Sequence, residues 1–162
     1  MPRLVSPQCD PDNAHRLGRQ GDSALSESQK FPVAAHALAY LAHKQAFCSS
    51  EAISSAALAA SMPTNPVVVR RVTSMLAKAG LIATRAGSNG GAWLLKPAET
   101  IGLDQVLRAV HGHAHLGMPH PGAEDCPIAQ KVPKAVGAAI LAADQAAAER
   151  LSHIMVSDLL KD

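Results

Sequence analysis

The dipeptide Asn65-Pro66 constrains this chain more than any other feature, because it fixes where a helix must begin. Asparagine is a strong N-cap, and a proline directly after it stands where its missing N–H is not needed. From there Val68, Val72, Met75, Leu76 and Ala79 recur at helical spacing and predict the buried side, leaving Arg70, Arg71, Ser74 and Lys78 outside. Gly80 supplies the usual C-terminal stop. Just upstream, Ser54 or Ser55 can cap a short helix running to about Ser61, and Met62-Pro63-Thr64 makes the turn between the two helices. Downstream, residues 81–85 and 92–96 read as short strands joined by Ala86-Gly87-Ser88-Asn89-Gly90-Gly91, whose glycines and asparagine suit a tight, slim hairpin tip. Two helices, a tight turn and a hairpin are the plan of a winged helix-turn-helix.

Between Thr64 and Lys96 stand five basic residues (Arg70, Arg71, Lys78, Arg85 and Lys96) and no acidic one, an imbalance that suits a polyanion. The formal net charge of the chain is only +2, so this character is local. Residues 31–111 hold seven Lys or Arg against three Asp or Glu, whereas residues 124–162 hold four against six. Aromatic residues are few (Phe31, Tyr40, Phe47 and Trp93), which argues for the groove of a duplex over single strands held by base stacking. In a helix-turn-helix the first helix crosses the backbone and the second enters the major groove. That geometry makes Ser55, Thr64, Asn65, Val67, Arg70, Arg71 and Ser74 the candidate DNA contacts, with Arg70 the first choice for a base edge. On the hairpin, Arg85, Ser88, Asn89 and Gly90 are candidates for phosphate or minor-groove contact, and Trp93 is expected to anchor the wing by packing.

Three ordered motifs, Asn65-Pro66-Val67-Val68-Val69-Arg70-Arg71, Ala79-Gly80-Leu81-Ile82 and Gly90-Gly91-Ala92-Trp93-Leu94-Leu95, resemble the DNA-binding domain of the Rrf2 (Rrf-two) family of bacterial dimeric repressors. The resemblance runs from about Lys30 to the C-terminus and implies a homodimeric transcription regulator. The family pattern also implies an arginine directly before the first wing glycine. Here Ala86 holds that place and Arg85 stands one residue earlier, where a strand side chain points to the opposite face.

Residues 1–28 carry no hydrophobic periodicity, and their Arg3, Arg16 and Arg19 are balanced by acids, so they are expected to form a disordered tail. Pro32 suits the first turn of a supporting helix to about Lys44, with Ala34, Ala37, Leu38 and Leu41 on its apolar side. Leu103, Val106, Leu107 and Val110 form the stripe of a helix that closes the domain at about residue 111. Residues 112–126 read as a loop rich in His, Pro and Gly. Residues 127–162 then supply an Ala-rich helix and a short C-terminal turn, with Pro133 expected to start the main helix or kink it. Such a helix buries too little alone. Pairing with its copy through Ile128, Val132, Val136, Ile140 and Leu151 would also present two recognition helices to a two-fold site.

Cys9, Cys48 and Cys126 are odd in number and far apart, which is not a disulfide framework and fits a reducing compartment. Metal-cluster members of the resembled family carry three cysteines in the loop before the dimer helix. This chain has only Cys126 there, followed by Pro127 and Ile128, so no iron–sulfur cluster is expected and the likeness is to the single-cysteine branch. Cys126 at a helix N-terminus is a candidate oxidant or electrophile sensor. A second reading is a zinc, copper or haem site built from His113, His115, His120 and Cys126, although their spacing matches no closed structural site, and a third is an unreactive loop whose histidines merely face water.

The expected protein is therefore mainly α with a small β-hairpin: a winged helix-turn-helix domain over residues 29–111 and a C-terminal dimerisation helix. It is expected to be a cytoplasmic, sequence-specific regulator of double-stranded DNA, with no resident cofactor and no membrane span. No His-Glu-x-x-His, phosphate-cradling loop or paired nucleophile and base points to an enzyme. The rival from another class is a winged-helix module that turns its basic face to an acidic protein.

Overall fold

The computed structural model describes residues 27–112 and 126–161, with the side chains at 27, 28, 127 and 130 left out. The elements are α1 (Glu27–His43), a 3-10 turn (Ser49–Glu51), α2 (Ser55–Ala60), α3 (Pro66–Lys78), β1 (Ile82–Arg85), β2 (Gly91–Leu94), a second 3-10 turn (Ala98–Thr100), α4 (Leu103–His111), α5 (Pro127–Ser152) and a third 3-10 turn (Val156–Leu160). The fold is thus mostly helical with one antiparallel hairpin, paired Ile82 to Leu94 through Arg85 to Gly91. Residues 1–26 of the expected tail and most of the His-rich loop lie outside the described residues.

The start of α3 forms as its sequence dictates. Asn65 Oδ1 accepts from the Val67 N–H at 2.8 Å, and Pro66 is the first helical residue. At the other end Gly80 turns left-handed (φ +70°), where its N–H reaches Ala77 O and the Leu81 N–H reaches Leu76 O. That pair of bonds satisfies the last carbonyls and turns the chain into β1. Ser54 caps α2 in the same way as Asn65 caps α3, accepting from Ala57 N at 3.1 Å.

The buried stripe of α3 shares Val72 and Leu76 with the expected one and is otherwise rotated. Val69, Val72, Thr73 and Leu76 are buried, whereas Val68 is half-buried and Ala79 is exposed. Both sets repeat at helical spacing, so periodicity alone does not choose between them. Packing against α1 and α4 does. Those helices supply Ala34, Ala37, Leu38, Leu41, Val106 and Val110 to one core, which Ile82 and Leu94 of the hairpin close.

Two prolines lie inside helices. Pro32 is the sixth residue of α1, because the helix begins at Glu27, inside the segment expected to be unstructured. Pro133 is the seventh residue of α5, which runs through it as a single helix. Each proline removes one backbone bond near a helix start, where few turns depend on it. The chain ends on the core, where Val156 is fully buried and its N–H bonds Ile101 O at 2.9 Å. Among the described residues, no helix is long and apolar enough to cross a membrane.

The register of α3 is testable by substitution. Leu76→Ala should lower unfolding stability by about 2–5 kcal/mol, and Ala79→Ser by less than about 0.5 kcal/mol, in urea titrations. Comparable losses at both positions would place Ala79 in the core.

Candidate nucleic-acid interface

Because α3 packs with Val69, Val72 and Leu76 inward, its other side must face solvent, and Val67, Arg70, Arg71, Ser74 and Lys78 all stand exposed there. Arg70 Nε donates back to Pro66 O at 3.4 Å, and among the described residues neither Arg70 nor Arg71 pairs with a carboxylate. Arg85 and Lys96 are exposed as well, so all five basic residues of the acid-free stretch keep their charge in water.

The hairpin is tied to the start of α2 by backbone. Ile53 and Ala92 exchange N–H···O bonds, both of 2.9 Å, so the residue two places before α2 forms a third short rung beside β2. Gly91 permits this approach: a Cβ built on it would lie 2.6 Å from Ile53 O. At the tip, Gly87 is left-handed (φ +105°), the Gly90 N–H reaches Gly87 O at 3.0 Å, and Arg85 Nη2 donates to Asn89 O at 2.9 Å. A guanidinium has five donors, so this bond steadies the tip and leaves others for a phosphate.

Between the start of α2, one flank of α3 and the wing lies an open groove of about 450 Å³. Of the residues expected to touch DNA, the groove brings together Ser55, Arg70, Arg85, Ser88 and Gly90. Asn65, Val67, Arg71 and Ser74 lie outside it, exposed on α3 and the turn before it, while Thr64 is half-buried in that turn. Asn89 is exposed at the wing tip, where it serves Arg85 through its carbonyl. The groove adds Ser54, Thr73 and Thr84, none of which had been expected there. Thr73 carries no local signal because it sits mid-helix, buried, with Oγ1 donating to Arg70 O at 3.1 Å. Despite its offset from the family pattern, Arg85 lines the groove, and half-buried Trp93 packs against the core.

The family model for Rrf2, described as an iron-dependent transcriptional regulator, matches residues 27–162. The chain belongs to the Rrf2 family. It is 34% identical over 111 residues to YwnA of Bacillus subtilis (strain 168), whose name places it among HTH-type transcriptional regulators; the match spans 68% of this chain and 83% of that protein. A structure described as a transcriptional regulator from Lactobacillus plantarum superposes with a TM-score of 0.64 at 26% identity, covering 82% of this chain and 88% of the other. CymR, the global cysteine regulator of B. subtilis, shares the fold with a TM-score of 0.56 at 21% identity, over 84% and 96% of the two chains. An Rrf2 protein with a winged DNA-binding fold is a transcription regulator and not an enzyme.

Iron in the family description raises the question of donors. Among the described residues, no group of three or more His, Cys, Asp or Glu side chains is placed to hold a metal ion. His113, His115 and His120 lie outside the described residues. Cys126 is the half-buried residue capping α5, and its side chain makes no capping bond. Cys48 is exposed and shares a 2.9 Å hydrogen bond with Ser50 Oγ.

The loop leading to α2 carries an acid-sensitive contact. The Phe47 N–H, donating to Glu51 Oε2 at 3.0 Å, and the Cys48 thiol hold the Glu51 carboxyl below the usual carboxylate range. Because folding lowers this pKa, the contact is complete above the ordinary range and is lost as pH falls through the lowered value. The Phe47 amide proton shift should therefore titrate in acid, and Glu51→Gln should abolish that titration. Gly91→Ala should cost about 1–3 kcal/mol of stability by forcing Ile53 away from β2. An unchanged urea midpoint would mean that the rung is dispensable.

Proposed function

We propose that this Rrf2 chain is a homodimeric repressor that binds a specific double-stranded operator, with α3 in the major groove and the wing on the flanking backbone. The observation that carries this reading is the exposed, acid-free outer side of α3, continuous with a wing whose Arg85 lines the same groove. Affinity would come mainly from guanidinium and ammonium groups on phosphates, and selectivity from α3 side chains on base edges. Repression follows from occupancy of the operator.

The second subunit would dock on α5. Ile128, Val132 and Val136 are 69%, 48% and 44% exposed, and with Ala139, Ala143 and Ala146 they form one uncharged stripe along the outer side of that helix. Ile140 is half-buried, and Leu151 packs on its own subunit's core. A helix of 26 residues, roughly 39 Å long, offers enough such surface to pair with its copy.

On the effector side, we propose that the protein works without an iron–sulfur cluster, since three cysteines at 9, 48 and 126 fall short of the usual donor set. Cys126 at the junction between the loop and α5 is then the position from which a thiol modification would reach the dimer helix. No step is routed through iron.

Gel shifts against the chain's own promoter at two salt concentrations test the DNA reading. Arg70→Ala should weaken the cognate duplex by about 1–3 kcal/mol and relax selectivity at one base pair. Arg85→Ala should weaken all duplexes alike and reduce the salt slope by about one unit. In sedimentation, Val136→Asp should turn dimers into monomers. Binding to an acidic protein with no shift of any duplex would favour the protein-module reading.

A further inference from the structure

The outer side of α3 holds one large apolar side chain among its cations. Val67 is 58% exposed and stands at the centre of that side, opposite Leu76. Ser74 lies two turns further along the same line, with Arg70 and Arg71 flanking it one turn on. Its position is firmly set, because its N–H is held by the Asn65 cap at 2.8 Å. A β-branched side chain in a helix keeps essentially one χ1 rotamer, so it loses little freedom when something packs against it.

More than half of Val67 stands in water in the folded chain, and any duplex seated on α3 must cover it. The major-groove edge of DNA presents donors and acceptors at every base pair and one apolar feature, the C5-methyl group of thymine. Set against guanine, cytosine or adenine, the isopropyl group would strip water from a polar edge and return no hydrogen bond. Set against thymine, it buries methyl on methyl.

Resting on the duplex-DNA reading above, we propose that Val67 is a specificity-determining residue that reads the C5-methyl of a thymine at one position in each half-site, between the bases or phosphates reached by Arg70 and Arg71. Arginine supplies attraction on either side, and Val67 sets which base pair fits between them.

The test is a methyl-deletion scan. Duplexes are first enriched on the full chain from a randomised pool, and each thymine of the winner is then replaced in turn by deoxyuridine, which pairs identically and lacks only the methyl. At one thymine per half-site, deoxyuridine should weaken wild-type binding about three- to fivefold. Val67→Ser should bind the thymine and deoxyuridine duplexes alike, and Val67→Ile should retain the preference. Wild type indifferent to deoxyuridine everywhere, or Val67→Ser keeping the full preference, overturns the inference and leaves DNA binding intact. If no duplex is enriched, the DNA reading itself falls, and this inference falls with it.

Discussion

The rotational setting of α3 is the constraint on which the rest depends. Asn65 and Pro66 fix the residue at which the helix starts, and Val69, Val72 and Leu76 fix which side faces the core. With both settled, the direction of every other side chain on the helix follows from its geometry. Arg70, Arg71, Ser74 and Val67 need no partner to hold them outward, because turning them in would expose the valines and leucine that fill the centre of the domain. Burying even one such apolar side chain is worth about 1.5–3 kcal/mol, far more than an exposed ion pair provides.

The wing is fixed to the same frame by backbone as well as by Ile82, Ala92 and Leu94 in the core. The reciprocal Ile53–Ala92 bonds join β2 to the residue just before the α2 cap, so the start of α2 and the hairpin share one support. The Arg85 bond to Asn89 O then braces the tip from within. A groove with one wall on α3 and the other on the wing keeps its width only if both walls rest on the same scaffold, and here Val69, Val72 and Leu76 of α3 share one core with Ile82 and Leu94 of the hairpin.

Local chemistry was the legible part of the sequence. Caps, a first-turn proline, a left-handed glycine and a glycine-rich tip each act through neighbours in the chain, so Asn65, Pro66 and Gly80 are legible directly, and the α2 cap is narrowed to Ser54 or Ser55. Exposed cations were legible for a related reason, since guanidinium groups without partners stay in water. The buried phase of α3 was not, because Val68 and Val69 are chemically alike and only the helices packed against them distinguish one from the other. The Ile53 rung leaves no mark on the sequence because a single bridge residue carries no period. Pro32 stands one turn further into its helix than the first-turn preference of proline suggests, because α1 begins upstream at Glu27, where the sequence has no hydrophobic period to mark it. In the groove, Thr73 and Thr84 are brought in by tertiary placement alone.

We propose that the outer side of α3 is the surface that meets duplex DNA. Ser74 stands in the middle of that side, exposed and distant in sequence from the helix cap. A photo-crosslinker placed at Ser74 and irradiated in the presence of the enriched duplex should attach to bases within the binding site, and the adduct should disappear when salt dissociates the complex. Attachment to protein instead, or bound duplex that Ser74 never labels, would contradict the account.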